Sequence, residues 1–195
     1  MKEFIKNQIS DSINAQQILL NDPNFIDTVI DVSKLIIKAY RNGNKVLTAG
    51  NGGSAADAQH MVAELVNKFY FDRPGLPAMA LTTDTSILTA IGNDYGYDKL
   101  FSRQIEANGR DGDIFLGFST SGRSQNIINA VKICKEKSII TVGIIGGHEC
   151  EMDTLCDYVF KVPSKETPRI QEAHTLIAHM ICSVVEEALF GKGFE

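Results

Sequence analysis

Five short apolar segments constrain the fold of this chain more than any other feature. They lie at 45–48, 78–81, 114–118, 139–145 and 158–162, and helical patterns separate them. Because they are largely apolar rather than alternating, they are typical of strands buried on both faces of a parallel sheet. We therefore expect an α/β, doubly wound fold with a five-stranded, mainly parallel sheet and helices on both faces.

Further helices are expected at both ends of the chain. Two precede the first strand, near 3–20 and 24–41, and Pro23 is well placed to open the second. A long helix near 168–190 closes the chain, and its apolar residues cover more than a narrow stripe. That breadth favours a homo-oligomer over a monomer with thick helical flanks. Because the sequence shows no interdomain linker and no internal repeat, residues 1–195 are expected to form a single domain.

Composition and charge exclude several classes of partner. The formal net charge is −5 and no basic run occurs, which argues against a nucleic-acid surface. The first twenty residues are polar and amphipathic rather than a signal peptide, and no apolar run approaches the roughly 18 residues of a membrane helix. The four cysteines show no CxxC spacing, so reduced thiols are expected. A cytoplasmic protein without a nucleic-acid or membrane partner is therefore predicted.

A glycine-rich loop, A-G-N-G-G-S at 49–54, follows the first predicted strand. Glycines permit positive φ and close approach of a ligand to backbone N–H groups. The loop matches neither a Walker A sequence nor GxGxxG, so it does not imply a nucleotide. It lies beyond the carboxyl end of a strand, where open α/β sheets bind ligands. For Ser54 and Asp57, whose spacing is that of a capping box, helix capping is the simpler interpretation.

A serine-rich loop, S-T-S-G-R-S at 119–124, follows the third predicted strand. Four hydroxyls lie at the start of a helix, where backbone N–H groups and the helix dipole attract anions. We therefore favour a phosphate-binding loop over a serine-rich turn with one capping serine. Arg123 can add charge or point to solvent.

His60 and Glu64 are four residues apart on one predicted helix, so they lie about 40° apart on one face. That geometry suits one shared metal ion or an acid–base pair, whereas the simpler alternative is a surface ion pair. On the last helix, Gln171 and His179 are separated by a rise of about 12 Å, too far for one straight helix to aim both at one ion. A neighbouring subunit is therefore the easier source of His179.

Two further positions are ambiguous from their residue types alone. His174 is more simply a core or surface histidine than a ligand. Asn93 and Asp94 lie between two short helical segments, near 84–92 and 97–107, where Asn-Asp with glycines is ordinary turn chemistry. They could equally bind sugar hydroxyls.

Four motifs, taken together and in this order, resemble one family over essentially the whole chain. They are A-G-N-G-G-S-A-A-D-A-Q-H with Glu64, T-A-I-G-N-D-Y-G-Y-D-K-L-F-S-R-Q, S-T-S-G-R-S and R-I-Q-E-A-H-T-L-I-A-H. This combination is similar to the bacterial phosphoheptose isomerases of the sugar-isomerase (SIS) domain superfamily. The resemblance implies conversion of sedoheptulose 7-phosphate to D-glycero-D-manno-heptose 7-phosphate, the first step toward nucleotide-activated heptoses for lipopolysaccharide or capsule. It also implies one zinc ion per subunit and a cytoplasmic homotetramer with active sites at subunit contacts.

The resemblance also implies roles for individual residues. It places zinc at His60, Glu64, Gln171 and His179, and it gives Glu64 and His179 the catalytic roles. It places the substrate at Asn51, Gly52, Gly53, Glu64, Asn93, Asp94, Ser119, Thr120, Ser121, Ser124 and Gln171. Arg123 departs from the family, which more often has asparagine there; the hydroxyls are intact, so only fine phosphate geometry is affected.

Two other classes of SIS protein compete with this interpretation. Non-catalytic members bind a phosphosugar or a protein partner, as the replication-initiation regulators do, and are expected to lose parts of the metal and acid–base set. All four implied zinc ligands are present here, which favours an enzyme. Isomerases of arabinose 5-phosphate usually carry an appended regulatory domain, for which a chain of 195 residues has no room.

Overall fold

The computed structural model describes residues 1–194, which alternate between helices and strands. The helices are α1 (Lys2–Leu20), α2 (Pro23–Arg41), α3 (Gly53–Val66), α4 (Thr85–Tyr95), α5 (Leu100–Asn108), α6 (Gln125–Glu136), α7 (Met152–Leu155) and α8 (Thr167–Phe190). The strands are β1 (Val46–Gly50), β2 (Ala78–Ala80), β3 (Ile114–Ser119), β4 (Ile140–Ile145) and β5 (Tyr158–Lys161). A 3₁₀ turn at Tyr97–Lys99 joins α4 to α5.

The sheet confirms the expected topology. Its strand order is β2-β1-β3-β4-β5, and every neighbouring pair is parallel. The chain adds β2 on one side of β1 and then adds β3 on the other side. In open α/β sheets, the crevice at such a reversal, beyond the carboxyl ends of the strands, is where ligands bind. The glycine-rich loop follows β1 and the serine-rich loop follows β3, so both lie at this point.

Both faces of the sheet are covered, as the uniformly apolar strands require. Leu116 and Phe118 of β3 lie in one core cluster with Ile36 of α2 and Ile177 of α8. Phe115, which points to the other face, lies in a second cluster with residues of α5 and α6. Because successive strand residues point to opposite faces, a strand between two helix layers must be apolar throughout.

The closing helix α8 is more apolar than expected. It is 24 residues long, its best 18-residue window has a mean hydropathy of 1.3, and by length and composition alone it could cross a membrane. The expectation of no membrane-length apolar segment thus meets one candidate, although polar residues interrupt the apolar sequence of this helix. Its packing supplies another reason for the apolar composition, because Ile170, Ile177 and Ile181 are fully or almost fully buried in the core. Core helices of globular proteins pass the same test, so α8 is not clearly a membrane span.

His174 of α8 is a core histidine, as one of the two expectations held. It is fully buried, and its ring packs on Phe118 with ring centroids 6.0 Å apart. Burial, opposed only in part by the Ile145 carbonyl, lowers the pKa of the imidazole to about 4. A neutral imidazole is therefore built into the fold at pH 7.

We expect this buried histidine to make the fold sensitive to acid. The unfolded imidazole takes up a proton near pH 6.5, whereas the folded one does so only near pH 4. Between those values the unfolded state binds more protons, so the free energy of unfolding falls by about 3 kcal/mol. Urea titrations across this range measure that loss. A His174→Met variant should lose less stability over the same interval, and an equal loss in both proteins would contradict the assignment.

Candidate active site

The glycine-rich loop begins where β1 ends at Gly50. Gly52 has a φ of 56°, which favours glycine, and it is the residue at which α3 is capped. Ser54 lies inside α3, is buried, and makes no side-chain cap, so the prediction that it caps the helix is wrong. The chain begins α3 two residues earlier than the capping pattern suggested, and the N–H groups of Ser54, Ala55 and Ala56 donate to the carbonyls of Asn51 and Gly52.

Asp57 also has a role other than capping. Its carboxylate accepts a hydrogen bond of 2.8 Å from the Thr175 hydroxyl of α8, 118 residues later in the chain. Burial raises the pKa of this carboxyl above its usual range, and the bond from Thr175 opposes that shift. The capping prediction failed here because Asp57 faces a neighbouring helix whose position local sequence does not encode.

The serine-rich loop turns back on itself between β3 and α6. The hydroxyl of Ser119 lies 3.1 Å from that of Ser124, and it accepts a 3.1 Å bond from the N–H of Gly122, whose φ is 62°. Ser124 is the residue before α6, and its hydroxyl makes no cap to that helix. Ser119 and Ser124 thus meet at a helix N-terminus, the arrangement that suits a phosphate.

Arg123 neither points into this turn nor lies free in solvent. Its guanidinium donates a 3.0 Å bond to the carbonyl of Glu149, so it links the serine-rich loop to the loop after β4. The guanidinium of Arg123 is therefore held by a backbone carbonyl outside the serine-rich loop.

The two loops share one crevice because β1 and β3 are adjacent. Gly50 is paired with Phe118 in the sheet register. The side-chain amides of Asn51 and Asn126 exchange two hydrogen bonds, each 2.9 Å long, across the gap between the loops. A cavity of about 320 Å³ lies beside them, bounded by Asn51, Gly52 and Tyr97 together with residues of α4 and α5. The cavity adjoins the glycine-rich loop, and its lining includes no residue of the serine-rich loop.

A cluster of metal-binding side chains lies along α3 from this crevice. The Nε2 atom of His60 is 3.0 Å from the carboxylate of Glu64 and 3.4 Å from Nε2 of His179. One donor atom from each of the three residues lies within 4.8 Å of the other two. Imidazole nitrogens and carboxylate oxygens are ligand types that zinc binds. The donor set therefore fits the implied metal.

His179 belongs to this cluster within a single chain. Because α3 and α8 run side by side in the same direction, Thr175 meets Asp57 and His179 meets His60 one turn further on. The inference that a neighbouring subunit supplies His179 is therefore wrong. The separation from Gln171 is real, however: a Cβ at Gly53 would collide with the Gln171 amide, which places that amide at the start of α3.

The structure does not bring Asn93 and Asp94 into the crevice. They lie in the last turn of α4 rather than in a turn between helices, because α4 continues to Tyr95. Both are exposed, and the Asn93 amide donates a 2.8 Å bond to the Asp94 carboxylate. Gly92, one residue earlier, does line the cavity. A contact between these two side chains and the substrate stays a prediction.

A buried ion pair behind the metal cluster was not predicted from sequence. Glu186 of α8 is fully buried and accepts bonds from the Phe69 and Tyr70 N–H groups and from Nε of Arg73. Arg73 also donates a 2.8 Å bond to the carbonyl of Glu64. The pair thus fixes the segment after α3, including Phe69, whose ring centroid is 5.5 Å from that of His179. An acidic residue among apolar neighbours in the closing helix was the available signal.

Comparison with known proteins agrees with this geometry. The SIS domain family matches residues 23–146. A phosphoheptose isomerase from Aneurinibacillus thermoaerophilus is 60% identical over 100% of this chain and 98% of its own length. Phosphoheptose isomerase 2 from Campylobacter jejuni is 59% identical over 100% of this chain and 96% of its own length. The structure of phosphoheptose isomerase GmhA from Neisseria gonorrhoeae superposes with a TM-score of 0.89, at 39% identity over 95% of this chain and 98% of that one. The chain therefore belongs to the phosphoheptose isomerases of the SIS-domain family.

Proposed function

We propose that this protein is an aldose–ketose isomerase that converts sedoheptulose 7-phosphate to D-glycero-D-manno-heptose 7-phosphate. Two observations carry the proposal: a hydroxyl-rich loop lies at a helix N-terminus beyond β3, and a His-Glu-His cluster lies between α8 and α3, the helix that follows the neighbouring strand β1. A phosphorylated sugar needs the first, and proton transfer at its far end needs the second. The proposal agrees with the names of relatives that are 60% and 59% identical over the whole chain.

The two loops bind and orient the sugar phosphate in this account. The hydroxyls of Ser119, Thr120, Ser121 and Ser124, with the N-terminus of α6, hold the phosphate. Backbone N–H groups at Gly52 and Gly53 meet the sugar hydroxyls, and Asn93 and Asp94 contact the sugar as well. The reacting carbons then extend along α3 toward His60 and Glu64.

Isomerisation requires two proton transfers between neighbouring atoms. We assign Glu64 as the base that removes a proton from C1 of the ketose, while the C2 oxygen gains a proton and an enediol forms. His179, on the other side of the cluster, exchanges protons with the two oxygens. The carboxyl proton of Glu64 exchanges with water while the enediol is bound, and Glu64 then protonates C2 as the C1 hydroxyl loses its proton and becomes the aldehyde. General acid–base catalysis of this kind contributes about 10²–10⁴ in rate.

We propose that His60, Glu64 and His179 hold zinc, with Gln171 as a further donor. Bound zinc would act as a Lewis acid that polarises the sugar oxygens. The Gln171 amide lies beside Gly53 of the glycine-rich loop, which suits its assigned contact with the sugar.

We further propose a cytoplasmic homotetramer, serving heptose synthesis for lipopolysaccharide or capsule. Support for self-association comes from α1, where Ile5, Ile9, Ile13 and Leu20 are each more than half exposed. They form an apolar stripe beside the buried face of that helix, and contiguous exposed apolar surface is typical of interaction sites. The proposed active sites lie at contacts between subunits.

Chelation tests the proposed function and the proposed metal together. Purified protein loaded with zinc should convert sedoheptulose 7-phosphate to the aldose in a coupled assay. Removal of the metal with a chelator should reduce turnover at least tenfold, and added zinc should restore it. Turnover that is insensitive to chelation would contradict the metal assignment. Absence of turnover in the zinc-loaded protein would instead favour a non-catalytic phosphosugar-binding protein.

A further inference from the structure

A network of side-chain hydrogen bonds beside the cavity joins three segments that are distant in sequence. Asn51 belongs to the glycine-rich loop, Asn126 to the first turn of α6, and Tyr97 to the 3₁₀ turn after α4. The Asn51 carbonyl oxygen accepts 2.9 Å bonds from both the Asn126 amide and the Tyr97 hydroxyl. The Asn51 amide in turn donates a 2.9 Å bond to the Asn126 oxygen.

Each bond in this network determines the orientation of the next. The backbone N–H of Ile127 donates a 3.0 Å bond to the Asn126 oxygen, which places the Asn126 amide nitrogen toward Asn51. Asn51 must then present its oxygen to Asn126. Because the amide oxygen of Asn51 can only accept, the Tyr97 hydroxyl must donate its single proton to it. The hydrogen bond from the Ile127 N–H thus determines which atoms of Asn51 and Tyr97 can donate or accept at the cavity.

This ordering leaves few polar groups for a ligand. The Asn51 oxygen already has two donors, so toward the cavity Asn51 has one remaining amide N–H. The Tyr97 hydroxyl has used its proton, so it can only accept. Asn126 is 2% exposed and has no access to a ligand, whereas Tyr97 is 61% exposed and lines the cavity.

We propose that Asn126 and Tyr97 are specificity-determining residues for the sugar, Asn126 as a positioning residue and Tyr97 as a direct acceptor for a sugar hydroxyl. The inference rests on the proposed function, since it needs a polyhydroxy ligand in this cavity. Asn126 acts through Asn51, whose orientation it controls. The phosphate itself binds at the serine-rich loop and does not depend on the network.

Two variants separate this role from a structural one. Tyr97→Phe removes one hydroxyl from an exposed side chain, so folding is preserved. Asn126→Leu adds no charge, keeps a side chain of similar size and removes the amide donor to Asn51. Each should raise the KM for sedoheptulose 7-phosphate about tenfold, the worth of one hydrogen bond, with kcat within about twofold of the original. Affinity for inorganic phosphate, measured by calorimetry, should stay within about twofold.

The double variant and a matched control complete the test. Because both residues act through one network, the double variant should raise KM little more than either single change, rather than about a hundredfold. Tyr95→Phe is the control, since Tyr95 is 58% exposed and stacks on Arg103 away from the network. If the wild-type protein turns over the substrate, the proposed isomerase activity stands. An unchanged KM in Tyr97→Phe, or multiplicative effects on KM in the double variant, would then overturn this inference alone. Absence of wild-type turnover would overturn both.

Discussion

Replacing Glu64 by glutamine is expected to reduce turnover of sedoheptulose 7-phosphate by about 10²–10⁴-fold, the usual contribution of a positioned acid or base. The amide has the shape of the carboxylate but cannot accept the C1 proton. Its neighbours His60 and His179 remain in place, because their positions are set by the packing of α3 against α8. Steady-state kinetics of the zinc-loaded variant measures the effect.

Metal content separates loss of the base from loss of the ion in that variant. If zinc remains bound and turnover falls, Glu64 is the base; if zinc is lost as well, excess zinc should be added before turnover is compared. Glu106→Gln is a suitable control, since Glu106 is 44% exposed in a surface ion pair on α5. Near-wild-type turnover by zinc-loaded Glu64→Gln protein would rule out the proton-transfer role.

Replacing Glu186 by glutamine should destabilise the fold by about 3–5 kcal/mol, because it leaves the Arg73 guanidinium buried without its counter-charge. The two side chains are 1% and 2% exposed and lie 2.9 Å apart. Burial alone raises the pKa of the Glu186 carboxyl, but the Tyr70 and Phe69 N–H groups and Arg73 outweigh it and hold the pKa below its usual range. Urea unfolding at neutral pH measures the change.

The Glu106→Gln variant serves as the reference here too. Its pair with Arg103 is exposed, so its loss should cost no more than about 1 kcal/mol. A similarly small change for Glu186→Gln would show that the segment after α3 tolerates an uncompensated Arg73. In Glu186→Gln protein the Phe69 ring should also lose its fixed position beside His179, so the zinc-dependent turnover of this variant should fall with its stability.

The sheet could be predicted from sequence because strands buried on both faces must be apolar throughout, a local property. The position of the serine-rich loop could be predicted for a related reason, since Ser119 and Ser124 are close in sequence and the strand before them determines where they lie. The resemblance to a family then supplied Gln171 and His179, which no local pattern connects to the first half of the chain.

The roles of Asp57 and His179 could not be predicted from local sequence, because they depend on contacts between residues far apart in the chain. Asp57 fits a capping box equally well in a protein without α8, and only the Thr175 bond, 118 residues away, reveals its partner. The expectation that His179 comes from another subunit followed correctly from helix rise, but it assumed that Gln171 and His179 serve one ion in one conformation. The parallel packing of α3 and α8 places His179 beside His60 within one chain.

The central claim is that Glu64 and its neighbours move a proton between two carbons of a phosphorylated seven-carbon ketose. Nuclear magnetic resonance of sedoheptulose 7-phosphate incubated with zinc-loaded protein in D₂O tests it most directly. The account predicts that the aldose appears with solvent deuterium at C2, and that Glu64→Gln protein leaves the ketose unchanged. A ketose that persists without deuterium at C1 in the presence of the wild-type protein would contradict the claim.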